Sequence, residues 1–167
     1  MLPTYETDRL VLRQRTLEDM ADLMAMDSDP EVTRYISGLA ADFHEPDTVR
    51  DRILKTHEPG LGTWTIEYRT GAGAYAGAIA LVPLDGGPEI EIGYRLPRPL
   101  WGKGIASEAV QCVLHHGFET VGLERIVAVT DMRNLASQRV LVKCGMRHAG
   151  WRDAYGDRLM LFAIERD

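Results

Sequence analysis

Residues 94–107 read Tyr94-Arg95-Leu96-Pro97-Arg98-Pro99-Leu100-Trp101-Gly102-Lys103-Gly104-Ile105-Ala106-Ser107. The segment enters as the end of a strand, breaks at its prolines, and leaves through two glycines into a helix. Glycine lets main chain approach a ligand closely. The first turn of a helix leaves its N–H groups without intrahelical partners. With the helix dipole, those donors make an anion site suited to phosphate. Two familiar phosphate loops do not fit. A Walker loop has four residues between its glycines and then Lys-Ser/Thr, whereas one residue separates Gly102 from Gly104. A Rossmann fingerprint has glycine where this chain has Ser107, and the upstream hairpins do not make its strand–helix–strand start. Taken alone, the paired glycines fit a plain strand-to-helix turn equally well.

Upstream, residues 89–96 alternate as a strand, with Ile90, Ile92, Tyr94 and Leu96 on one face and Glu91 on the other. Residues 63–69 and 75–82 form two more strands, joined at Gly71-Ala72-Gly73 as an antiparallel hairpin. Residues 9–13 make a first strand. Thr16 and Asp19 fit a capping box, followed by a helix with Leu17, Met20, Leu23 and Met24 on one face. Asp29-Pro30 breaks that helix, residues 37–44 read as a loop, and Pro46 opens another helix. Downstream, residues 102–119 carry a helical stripe through Ala106, Val110 and Phe118, and Gly122 stops it. Residues 125–130 are a β-branched strand. Asn134 caps a helix running through Cys144, with Gly145 as its left-handed end. Residues 147–153 and 159–164 flank a second hairpin. This order predicts an α/β fold: a mixed, mostly antiparallel twisted sheet of six to seven strands flanked by helices, in one domain over residues 1–167.

At 167 residues the chain is long enough to bury a core without staples. No apolar run nears the ~18 residues a membrane span needs, and the start shows no basic-then-apolar secretion signal. Cys112 and Cys144 cannot build a disulfide framework, so a reducing cytosol is expected. A net charge of -6 argues against nucleic acid and suits a cationic partner such as an amine. His115 and His116 are neighbours, so on a helix they point about 100° apart and make no ligand pair. With no metal motif in the sequence, no metal is expected.

The ordered segments resemble the GCN5-related N-acetyltransferase (GNAT) superfamily. Its pyrophosphate loop, Arg/Gln-x-x-Gly-x-Gly/Ala, is matched by Trp101, Gly104 and Ala106. The Trp-Gly-Lys-Gly form looks like the RimJ/RimL-like branch, as do residues 6–13, Glu91-Ile92-Gly93-Tyr94 and Asn134-Leu135-Ala136-Ser137. One departure stands out: Trp101 lacks the polar side chain usual at its position. The resemblance implies the GNAT fold and transfer of an acetyl group from acetyl-CoA to a primary amine by direct attack in a ternary complex. The acceptor would be a protein N-terminus or a small amine. An acyl-CoA-binding module without catalysis, or a transferase using a longer acyl-CoA such as succinyl-CoA, are the alternatives.

By the same resemblance, the amides of Gly102, Lys103, Gly104, Ile105, Ala106 and Ser107 would hold the pyrophosphate beside Trp101. Leu96 would pair with pantetheine through its backbone, Asn134 would bond the cofactor, and the Tyr94 N–H would lie near the thioester carbonyl. Ser137 would protonate the leaving thiolate; its plain alternative is helix packing. Glu91 is the candidate base, because a carboxylate on a covered strand face needs a partner or a task; Glu89, two residues upstream, is second. Gly93 is expected to form a bulge that splays its strand from residues 125–130 and opens a slot. Residues 29–57 and the hairpin at 147–159 should shape the acceptor pocket. An exposed final strand suggests a homodimer.

Overall fold

The computed structural model describes residues 1–71 and 73–167, so Ala72 of the expected hairpin turn lies outside the described residues. In chain order the elements are β1 (Tyr5–Glu6), β2 (Leu10–Gln14), α1 (Met20–Asp27), α2 (Pro30–Thr33), α3 (Pro46–Leu54), β3 (Gly62–Tyr68), β4 (Tyr75–Pro83), β5 (Ile90–Arg95), α4 (Ile105–His115), β6 (Arg125–Thr130), α5 (Leu135–Lys143), β7 (Arg147–Ala154) and β8 (Asp157–Glu165). Among the described residues eight strands form one sheet, in the order β1-β2-β3-β4-β5-β6-β8-β7. The strand beyond the expected number is β1, whose two residues are too few to alternate visibly. Neighbours pair antiparallel except β5 and β6, which run parallel. Parallel neighbours cannot be joined by a tight turn, so a helical crossover is required, and α4 supplies it.

The sheet is covered on both faces. On one, Trp64, Ile66, Ile79, Leu81 and Ile92 pack with Ile105, Ala109, Val110 and Val113 of α4. On the other, Ala78 packs with Leu23 and Met26 of α1 and Val49 of α3. Adjacent Ala78 and Ile79 serve opposite faces, as the pleat of a strand dictates. His116 is fully buried while His115 is exposed. The His116 ring contacts Gly60 O through Nε2 at 2.8 Å and the Tyr5 hydroxyl through Nδ1 at 2.7 Å. A carbonyl only accepts, so Nε2 carries the proton and Nδ1 accepts from Tyr5. The histidine is a satisfied core residue.

The structure departs from four of the expectations drawn from the sequence. The helix expected from residue 102 begins at Ile105, because Gly102 and Gly104 sit at φ +73° and +78°, which a right-handed helix cannot contain. Leu17 lies in a short 3₁₀ turn and is exposed, while Leu23 and Met26 are the buried apolar residues of α1. The final strand is not an edge: β8 lies between β6 and β7, and the exposed β7 is the edge strand at this end of the sheet. Finally, Gly93 makes no bulge. Its register with β4 is unbroken, Ala80 facing Gly93. The strands β5 and β6 do part, meeting at the single pair Glu91 and Val127. Gly93 keeps the gap open by lacking a side chain: nothing stands within 4 Å of where its Cβ would be.

Candidate active site

The turn between β5 and α4 is tied down from three sides. Leu100 and Trp101 donate their amides to Pro97 O at 2.9 Å and Arg98 O at 3.1 Å. The Trp101 indole Nε1 donates to Leu96 O at 2.8 Å. From β2's approach, Arg9 Nη1 donates to Lys103 O at 2.8 Å, and Arg9 Nε pairs with Glu108 Oε2 at 2.7 Å. What these braces leave free is the amide set itself. The N–H groups of Gly102, Lys103, Gly104, Ile105, Ala106 and Ser107 have no hydrogen-bond partner among the described residues. The first helical bond is Glu108 N to Gly104 O at 3.1 Å. Six main-chain donors at the head of an eleven-residue helix could hold a diphosphate. Both N–H groups of Trp101 are engaged within the protein, so it braces the turn from within. Leu96 is buried and its carbonyl already accepts from Trp101. The Lys103 side chain is exposed.

Where β5 and β6 part, a cleft of about 700 Å³ opens. Tyr94, Asn134 and Ser137 line it on the α5 side. Asn134 Oδ1 accepts from Ser137 N at 3.1 Å, the expected cap, which fixes the start of α5. The Tyr94 hydroxyl lies 3.2 Å from Ser137 Oγ, so the two can exchange a proton. Burial pushes the Tyr94 phenol up to about 12. Besides its main-chain amide, Tyr94 thus presents a hydroxyl as a proton donor beside Ser137.

Glu91 lines the opposite side of the same cleft and is 8% exposed. Burial pushes its carboxyl up to about 7, even though the Tyr155 hydroxyl donates to it and favours the charged form. Tyr155 is held in turn. Its amide donates to Asp85 Oδ2 at 2.9 Å, and Asp85 N donates to Tyr155 Oη at 3.1 Å. Both residues have left-handed backbones, φ +54° and +47°. Two strained turns, distant in sequence, thus lock onto one another and aim a phenol at Glu91. No local sequence signal marks this contact, since Asp85 and Tyr155 lie 70 residues apart. Glu89 is no rival: it is ion-paired with Arg152 and, at 3.8 Å, with Arg125. The segments expected to form the acceptor side do line this cleft, through Phe43, Arg52, Tyr155 and Leu159.

Residues 9–147 match the family model described as "Acetyltransferase (GNAT) domain". The chain belongs to the GNAT acetyltransferase family. It is an acetyltransferase enzyme. It is 36% identical over 154 residues to the uncharacterized N-acetyltransferase YoaA of Bacillus subtilis, covering 90% of this chain and 86% of that protein. It is 30% identical to the FsC-acetyl coenzyme A-N(2)-transacetylase of Aspergillus fumigatus, covering 87% of this chain and 66% of that protein. Mycobacterium smegmatis RimJ in complex with CoA-disulfide shares its fold with a TM-score of 0.77, at 22% identity, over 93% of this chain and 81% of that one.

Proposed function

We propose that this GNAT acetyltransferase moves an acetyl group from acetyl-CoA to a primary amine by direct attack in a ternary complex, in the manner of the RimJ/RimL-like branch. One observation carries the reading: the six unpartnered amides of residues 102–107, set at the head of α4. The coenzyme A named for the Aspergillus relative and bound in the Mycobacterium neighbour supports the same donor. Acetyl-CoA would supply an activated acetyl thioester and a thiol leaving group.

The chain's own residues then divide the work. The amides of residues 102–107 bind the diphosphate, and Asn134 orients the pantetheine arm. The Tyr94 amide steadies negative charge on the carbonyl oxygen. Glu91 takes the proton that an attacking ammonium must lose; a carboxyl near 7 is matched to that task at neutral pH. Ser137, backed by the Tyr94 hydroxyl, returns a proton to the departing sulfur. Glu91 and Tyr94 stand on opposite faces of β5, so base and acid flank the reacting carbon. The reading keeps the whole chain as one catalytic domain in the cytosol, where the free thiols of Cys112 and Cys144 are at home. It extends to a homodimer joined through β7, one of the two edge strands of the sheet.

Titration calorimetry with acetyl-CoA tests the first step; no binding at high micromolar concentration removes the proposal. Replacement Glu91→Gln should lower kcat by about 100-fold or more while leaving acetyl-CoA affinity intact. An undiminished kcat would take Glu91 out of the role.

A further inference from the structure

The chain as a whole is acidic, yet one wall of its cleft is not. Arg15, Arg52, Lys55 and Arg95 line that wall, whereas the carboxylates lining the cleft are Glu91 and Asp131. Asp131 is already taken: Arg133 donates to it through Nε at 2.9 Å and Nη2 at 2.7 Å. We infer that the acceptor is a small primary amine that also carries a carboxylate, its carboxylate held by this cationic wall and its amine turned to Glu91. The inference rests on the proposed acetyl transfer and names the substrate class for it.

The wall holds more positive charge than the protein neutralises. Beneath it lies Asp27, whose Oδ2 pairs with Arg52 Nη2 at 2.9 Å and whose Oδ1 pairs with Arg95 Nη1 at 3.0 Å. Arg15 makes no ion pair among the described residues; its Nη2 donates to the neutral carbonyl of Arg52 at 2.9 Å. The Nε groups of Arg15 and Arg52 are buried and make no hydrogen bond among the described residues; Asp27 Oδ1 makes none either and meets Arg95 through charge alone. Burial, with the neighbouring charges of Arg95 and Arg52, pushes the Arg15 guanidinium down to about 10. Crowded guanidinium groups with spare donors are what a bidentate carboxylate satisfies. Phe43 sits against Arg52 at 3.8 Å and Arg95 at 5.1 Å, which holds the planar groups in place.

Position supports the same ligand. Arg95, Gly93 and Glu91 share one face of β5, at two-residue steps. Ala78 and Ala80 of β4 face Arg95 and Gly93, so the floor between cation and base is built of small residues. Four residues of strand span roughly 13 Å between main chains, and the side chains reaching inward shorten that to a short aliphatic amine. These cations are not spare ligands for the diphosphate. Arg95 points to the α1 side, where it meets Asp27, while α4 packs on the face of Ile92. A polyamine entering here would meet like charge.

The test measures thiol release from acetyl-CoA with ω-amino carboxylates from glycine to 6-aminohexanoate, the n-alkylamines of matching length, spermidine, and a short peptide amide with a free N-terminus. The best amino carboxylate should exceed its matched alkylamine in kcat/KM by about ten-fold or more. Arg15→Gln, and separately the exposed Lys55→Gln, should drive that ratio toward one, chiefly through KM, and Arg15→Lys should restore part of it. Equal rates for carboxylate and alkylamine, or a preference for spermidine or the peptide amide, overturn the inference while acetyl-CoA binding stands. A protein that binds no acetyl-CoA overturns both this inference and the transfer itself.

Discussion

Burial keeps the Glu91 carboxyl protonated far above the ordinary 4.5, to about 7, and this has two measurable consequences. Below pH 7 the base form falls about ten-fold per unit, so kcat should rise with pH and level off above about 7. Stability should move the other way. A folded-state value above the unfolded one adds stability that is complete below pH 4.5 and is lost as pH rises through 7. The loss is about 3 kcal/mol at full ionisation, an upper figure for a side chain this buried. Thermal melts of the native chain should therefore drop between pH 5 and 8 relative to Glu91→Gln. The Tyr155 hydroxyl favours the charged carboxylate, so Tyr155→Phe should shift the kinetic midpoint upward; an unmoved midpoint would show that Tyr155 does not act on Glu91. The buried place of Glu91 on a covered strand face was legible in the sequence. Tyr155 was not, because its partner Asp85 lies 70 residues away.

The turn into α4 works as an element because its braces come from elsewhere. Gly104 holds φ +78°, and a Cβ there would come within 3.3 Å of Arg9 Nη2. Gly104→Ala should cost about 1–2 kcal/mol through the left-handed backbone. It should also weaken acetyl-CoA binding by about ten-fold as the amides lose their alignment, read by calorimetry. The glycines and the helix after them were visible as a motif. The first helical residue was displaced because helical periodicity continues through Gly102 and Lys103 even though the backbone does not. Arg9 looked like the charged flank of a strand, and only the fold brings it to Lys103 O.

Across the molecule, one apolar layer joins β3, β4 and β5 to α4, and Trp64 lies at its centre. Its indole is fully buried, donates to Pro3 O at 2.9 Å and meets the His116 ring at 5.1 Å. Trp64→Ala should cost about 3–5 kcal/mol, seen as a lower urea midpoint. The mixed sheet, its hairpins and its crossover were readable, because strand alternation and helix stripes are local patterns. Which strand closes the edge was not. That choice depends on β8 entering between β6 and β7, a long-range pairing that leaves no trace in its own alternation.

The sequence by itself determined most of the elements, the glycine turn and the family, since each is written in spacings of a few residues. Tertiary structure alone decided the rest: the parting of β5 from β6, the grip of Tyr155 on Glu91, and the gathering of Arg52 and Arg95 around a single buried Asp27, with Arg15 held on the Arg52 carbonyl. Those depend on burial and on charges brought together from distant segments, and the energy of a buried charge is set by its surroundings, not by its neighbours in the chain.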